Sequence, residues 1–265
     1  MISYIVGALA IACYGGGAIL QYLNLTRSEN SPRNGVIALG AIALLLHLLS
    51  FNGTLYVQQT LDPGIHNMIS LITWLVAALA LIGSIKMPLR NVLIGIYPLA
   101  AAGLLLALAS GDQAIAKPFI APNIATHILL SLISYSVLTI AAVQAVLLAI
   151  QDHHLRHQLV GGLVMHLPPL QLMEQILFQL IWVGVLFLTT SILSGVIFIE
   201  DVFAQHLAHK TLLSIFAWVI FSTLLLGRYR LGWRGTLAIR FTIGGYLLLM
   251  LAYFGTKMAL EIFLR

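Results

Sequence analysis

The sequence predicts an all-α, polytopic membrane bundle of about eight transmembrane helices with both termini on the non-cytoplasmic side. Three observations carry that prediction. Of the 265 residues 60% are hydrophobic and 8% charged, with a mean hydropathy of +1.01; soluble domains are about a quarter charged. The apolar residues come in runs close to the ~20 that a helix needs to cross a ~30 Å hydrocarbon core, without the short alternating segments of a membrane barrel. Most of the charges fall between these runs, where headgroups and water can reach them.

The first span covers about 2–24; it is apolar from Ile2 without a basic leader and outlasts the core of a cleaved signal, so it reads as a retained helix. Further spans follow at about 35–51, 67–85, 91–110, 124–150, 175–199, 211–227 and 236–262, separated by short polar or Gly/Pro-bearing breaks. The longest break, about 151–174, contains QDHHLRHQ and HLPPLQLMEQ. Its Pro168-Pro169 pair breaks helix and is expected to start an interfacial segment. No repeat and no low-complexity tract is present, so residues 1–265 read as one membrane domain.

With the amino terminus outside, Arg27, Arg33, Lys86, Arg90, Arg156, Arg228, Arg230, Arg234 and Arg240 flank cytoplasmic helix ends, whereas Lys117, Lys210, Lys257 and Arg265 lie on the other side. This follows the positive-inside rule. The formal charge of +5 is therefore a consequence of topology beside anionic lipid, not a nucleic-acid footprint.

Several chemistries are disfavoured. The single cysteine, Cys13, lies in the first span and offers no disulfide framework or thiolate metal site. Gly15–Gly17 and Gly244-Gly245 permit close helix approach, with nothing after them like a phosphate loop. Asp62 and Glu200-Asp201 sit in short outer loops without a placed nucleophile, which argues against a hydrolase. Glu261 is near an outer helix end, so no acid lies at the midplane as a transporter would favour.

The histidines are the candidate chemical groups, because neutral imidazole ligates metals and heme iron. His47, His66, His127, His206 and His209 share the outer side, and His153, His154, His157 and His166 the longest inner loop. His153 and His157 are four apart, as on one helix face. Without the carboxylate of an HExxH motif this inner group reads as a solvated basic loop. For His47 the competing role is an interhelical hydrogen bond worth about 0.6 kcal/mol. For His127, in ATHILLSLISY with Ser131, Ser134 and Tyr135, it is again packing. Trp74, Trp182 and Trp218 within spans, and Trp233 in GRYRLGWRG, read as belt or core residues before they read as walls for a flat ligand.

Some stretches go together in order: HILLSLISY from His127, SGVIFIEDVF from Ser194, HKTLLSIFAW from His209, and LLGRYRLGWRG followed by a helix ending in LAYFGTKM. The first half adds LLLHLLSF around His47 and SLITWL from Ser70. Together they resemble the membrane-embedded cytochrome c assembly superfamily of heme-handling proteins, the CcsA, CcmC and HemX group, and look most like its inner-membrane YpjD branch. The resemblance implies heme held by histidines near the outer face, beside a tryptophan-rich motif reading roughly WGxxWxWD, with His127 matching the histidine that precedes it. This chain departs from the pattern twice. The stretch EDVFAQHLAHK has no tryptophan, and the chain ends KMALEIFLR without a second outer histidine.

The resemblance thus implies a non-enzymatic, heme-binding or heme-handling protein of the inner (plasma) membrane, associated with cytochrome c assembly. Its cofactor would be heme, with the iron on His127 and His47 and with His66, His206 or His209 as substitutes; Lys210 would meet the propionates. Its partners would be membrane lipid, heme and other cytochrome assembly proteins, and not nucleic acid. The alternative is a non-catalytic interaction or regulatory subunit that kept the fold without binding heme.

Overall fold

The computed structural model describes residues 2–26, 33–51, 56–57, 60–61, 64–110, 122–157, 166–198 and 205–255. The fold is a helical membrane bundle. Lipid offers no hydrogen bonds to the backbone, so each apolar run satisfies its own N–H and C=O groups as a helix. The helices are α1 (Ile2–Thr26), α2 (Arg33–Ser50), α3 (Ile65–Lys86), α4 (Leu93–Ser110), α5 (Pro122–Arg156), α6 (Leu170–Phe198), α7 (Gln205–Leu231) and α8 (Thr236–Met250). A two-residue antiparallel ladder, Tyr56–Val57 with Thr60–Leu61, lies between α2 and α3. Among the described residues seven helices are long and apolar enough to cross a membrane. The apolar stretch of α2, Asn34–Ser50, rises roughly 26 Å at 1.5 Å per residue, the short end of what can span.

The chain packs as two compact units, Met1–Phe119 with His154–Pro168, and Ile120–His153 with Pro169–Arg265. In the first, α1 lies against α2 and α4, and α3 against α4 and α2. Small residues allow the approach. The ring of Tyr97, on α4, slides past Gly17 of α1 and Gly40 of α2 to donate its hydroxyl to Val36 O at 3.0 Å. A Cβ at Gly40 would collide with that hydroxyl.

In the second unit α5 is tied to α6 by Ser134 Oγ donating to Gly184 O (3.1 Å) and Gln144 Nε2 donating to Met173 O (3.0 Å). It is tied to α8 by the Thr139–Tyr246 hydroxyl pair (3.0 Å) and by Tyr135, which donates to Met250 Sδ. Trp218 of α7 donates to Thr189 of α6 at 2.8 Å, and the ring of Phe221 seats on Gly245 of α8. Four helices thereby close around one interior.

Several boundaries move from the sequence expectation. Helix α6 starts at Leu170, directly after the proline pair, with Pro169 O accepting from Leu172 and Met173 N–H at 2.9 and 3.1 Å. Proline suits a helix start because its missing N–H is not needed there, so the expected interfacial segment is instead the first turn of α6. Helix α5 continues to Arg156 and takes in His153 and His154, and α7 takes in His206 and His209, expected in a loop. Helix α7 also runs past Arg228 and Arg230 to Leu231. Arg228 is neutralised by Glu174 at 2.6 Å, so the helix does not need to end at its first cation. Helix α8 widens after Met250 into a π turn over Leu251–Gly255. Of the charges read from the sequence, Arg27, Asp62, Lys117, Glu200, Asp201, Lys257, Glu261 and Arg265 lie outside the described residues.

Candidate functional site

The two helical units treat their histidines differently. His47, near the end of α2, is wholly buried. Its Nε2 lies 2.8 Å from Ser70 Oγ of α3 and its Nδ1 3.3 Å from the Tyr14 hydroxyl of α1. Tyr14 and Phe51 meet the imidazole edge-on at 5.9 and 5.1 Å, and Phe51 in turn meets Trp74 at 6.0 Å. Trp74 donates to Leu44 O at 3.0 Å. A neutral imidazole has one donor and one acceptor nitrogen, and both are engaged here. His66 is half-buried in the first turn of α3, in the same unit.

His127, one turn into α5, lines a cavity of about 180 Å³ inside the second unit. The walls are largely aliphatic, with Leu132, Leu188, Ile192 and Leu249 among them, and Tyr135 and Tyr253 supply aromatic faces. The polar groups on the wall are His127, Lys210 and the hydroxyls of Ser131, Ser134, Ser191, Thr211 and Ser214. An apolar pocket with a few convergent polar groups is the usual form of a ligand site. His127 Nδ1 lies 3.0 Å from both Ser191 O and Ser194 Oγ. A carbonyl oxygen only accepts, so Nδ1 carries the ring proton and Nε2 the lone pair. Among the described residues nothing bonds that Nε2.

His209 stands exposed in the second turn of α7, next to Lys210, whose ammonium lies 5.0 Å above the Tyr253 ring. The second unit therefore brings His127, His209 and Lys210 to one end, the end that the charge distribution assigns to the outside. His47 and His66 belong to the first unit. The side chain of His206 lies outside the described residues, although its backbone is in α7. Among the described residues no three of His, Cys, Asp or Glu gather as a metal site.

Two features were missed in the sequence. The first is an aromatic cluster in which Tyr135 meets Tyr246, Tyr253 and Phe254 at 5.8, 5.7 and 6.1 Å. The cavity's aromatic lining is thus tyrosine, and Trp182 faces outward at 63% exposure. The motif LAYFG is visible in the sequence, but its register against Tyr135 depends on the π turn. The second is at the opposite end of the same unit, where buried Glu174 pairs with Arg228 and accepts the Gly235 N–H at 3.1 Å. Arg228 also donates to Trp233 O at 3.1 Å and stacks 4.7 Å from the Phe178 ring centre. Glu174 is the acid within HLPPLQLMEQ; an acid followed by an apolar span, opposite a basic loop, is the signal that could have found it.

The chain matches the family model described as Cytochrome C assembly protein over residues 36–264. It is 28% identical over 256 residues to "Inner membrane protein YpjD" of Escherichia coli K12, covering 96% of this chain and 97% of that one. It is also 34% identical over 140 residues, 52% of each chain, to "Uncharacterized 28.8 kDa protein in nifR3-like 5'region" of Azospirillum brasilense. No solved structure matches.

Proposed function

This chain belongs to the cytochrome C assembly protein family, and from that premise we propose that it binds heme at the outer end of its second helical unit, with His127 as the iron ligand. It is a multi-pass inner-membrane protein associated with cytochrome c assembly; the heme and its ligand are the proposal.

The observation that carries the reading is the state of His127. Its Nδ1–H is committed to Ser191 O and Ser194 Oγ, its Nε2 has no hydrogen bond among the described residues, and the ring lines an apolar cavity. That is the arrangement of a metal-ligating histidine, whose second nitrogen donates to a backbone carbonyl or similar acceptor. The residues present fit heme with one restriction. A cavity of about 180 Å³ is below the ~300–1,000 Å³ of pockets that enclose drug-sized ligands. It would therefore hold only part of the macrocycle. His209, at the same end of the unit, would offer a second imidazole, and Lys210, on the cavity wall, would offer a cation to a propionate. When bound, heme would supply the iron; the chain would supply an imidazole nitrogen, the apolar wall and the aromatic faces, and would itself break no bond. His47 could ligate iron only by giving up Ser70 or Tyr14.

The test is the reduced and oxidised optical spectrum, with a heme assay, of the detergent-purified protein and its His127→Ala, His209→Ala and His47→Ala variants. Heme uptake by the wild type that is abolished in His127→Ala and kept in His47→Ala is the expected result. A wild type that stays colourless with added heme overturns the proposal and leaves an interaction subunit that kept the fold.

A further inference from the structure

The directions of the hydrogen bonds around His127 follow from donor supply alone. Ser194 Oγ donates to Ser191 O at 2.8 Å, so it has only lone pairs to offer the imidazole. Ser191 O likewise only accepts. Nδ1 lies 3.0 Å from each, and the contacts are satisfied together when one Nδ1–H is shared between two acceptors. On the other side of the interface Ser131 Oγ donates to His127 O at 2.8 Å. In the 2.6 Å pair between Ser131 and Ser191 the proton therefore comes from Ser191. Two serines of α6 and one of α5 thus form a closed donor–acceptor circuit around the histidine. The next residue, Gly195, leaves room for the ring: a Cβ there would stand 3.0 Å from His127 Cε1 and 3.4 Å from Nδ1. The Ser194-Gly195 dipeptide begins one of the stretches in which the chain resembles its family.

We infer that Ser194 is a positioning residue: with the Ser191 carbonyl it holds His127 as the Nδ1–H tautomer and so presents the Nε2 lone pair to the cavity, while Gly195 keeps the space the ring occupies. The tautomer stands apart from the heme reading; its effect on iron affinity rests on that reading. An acceptor on the far nitrogen makes an imidazole the more basic ligand. Removing Ser194 Oγ leaves the Ser191 carbonyl in place, so the loss of heme affinity should be about tenfold, the lower end of the 10–100-fold range for such partners.

The experiment uses the full chain in detergent with its histidines labelled with 15N, free of heme, at a pH of about 8 where an ordinary imidazole is neutral. A His127→Gln sample identifies the His127 signals by difference. The expected wild-type spectrum has a protonated Nδ1 and a lone-pair Nε2. Ser194→Ala leaves the Ser191 carbonyl as the one remaining acceptor on Nδ1, so a minor Nε2–H form should appear beside the Nδ1–H form, and Ser194→Thr, which keeps the hydroxyl, should restore the single form. Heme titration of the same samples should show about tenfold weaker binding for Ser194→Ala with a shifted midpoint potential, both restored in Ser194→Thr. Gly195→Ala, which leaves every hydroxyl in place, should displace the ring and lower heme affinity as well, with helix content unchanged by circular dichroism. A wild type protonated at Nε2, or a Ser194→Ala protein with the wild-type tautomer and affinity, overturns the inference. A wild type with the expected tautomer but no heme uptake upholds the positioning role and overturns the heme reading instead.

Discussion

Both helical units place a histidine against a serine of a neighbouring helix, His47 against Ser70 and His127 against Ser194, yet the two imidazoles end in opposite chemical states. Around His47 a second hydroxyl, that of Tyr14, meets the remaining nitrogen, and Phe51, Tyr14 and Tyr97 fill the space. Around His127 both partners lie on Nδ1, and the ring lines a cavity. The difference shows that a histidine in a membrane bundle becomes available through the placement of its partners and not through their number. Two hydroxyls on two nitrogens make a packing residue, and two acceptors on one nitrogen leave the other nitrogen without a partner.

The largest effect should come from exchanging the two sites' roles. His127→Ala is expected to remove heme binding at small cost in stability, since the ring already borders a cavity. His47→Ala should keep heme binding but cost about 3 kcal/mol, from a hole in a close-packed interior and two hydroxyls left without a partner. Thermal unfolding in detergent alongside the optical titration separates the two, and a His47→Ala protein as stable as wild type would show that the first unit is not packed as described. Next in size is the inner end of the second unit. Glu174→Ala strands Arg228 and the Gly235 N–H and is expected to cost about 3 kcal/mol, the low end for breaking a buried pair, because Arg228 remains a third exposed. Arg228→Ala should match it, and the double variant should cost clearly less than the sum of the two.

Gly40→Ala should cost about 2 kcal/mol by forcing Tyr97 off its hydrogen bond to Val36 O; Gly40→Ala combined with Tyr97→Phe should recover part of that loss. The smallest expected change sharpens the comparison most. Ser70→Ala frees Nε2 of His47 at about 0.6 kcal/mol without opening a cavity beside it, so a heme titration should still saturate at the wild-type stoichiometry. A second equivalent of heme in that variant would mean that a free nitrogen suffices and the cavity is not needed.

Most of the fold was legible, because lipid imposes a length and a composition that soluble cores do not. The eight spans, the positive-inside distribution and the candidate histidines could all be read from runs of apolar residues and their breaks. The structure departs from the sequence where a charge lies on a helix: the pattern places Arg228 past the end of a span and Glu174 in a loop, whereas each neutralises the other and α6 and α7 run past them. The site was legible as a short set of histidines and no further. His127 was recognisable from HILLSLISY, and Ser131 and Ser134 were visible on its helix face. Ser191, Ser194 and Gly195 are more than 60 residues away along the chain, and their pairing with His127 depends on how α6 lies along α5.

What the sequence determined by itself is the solvent of this protein, the number of its helices and the residue types that could ligate iron, because each follows from local composition and from the ~30 Å thickness of the bilayer. What the tertiary structure alone decided is which imidazole nitrogen is left bare, where the cavity opens and that Glu174 answers Arg228. Those depend on contacts between residues distant in the chain, and a hydrogen bond or a cavity exists only once two helices have chosen their faces and register.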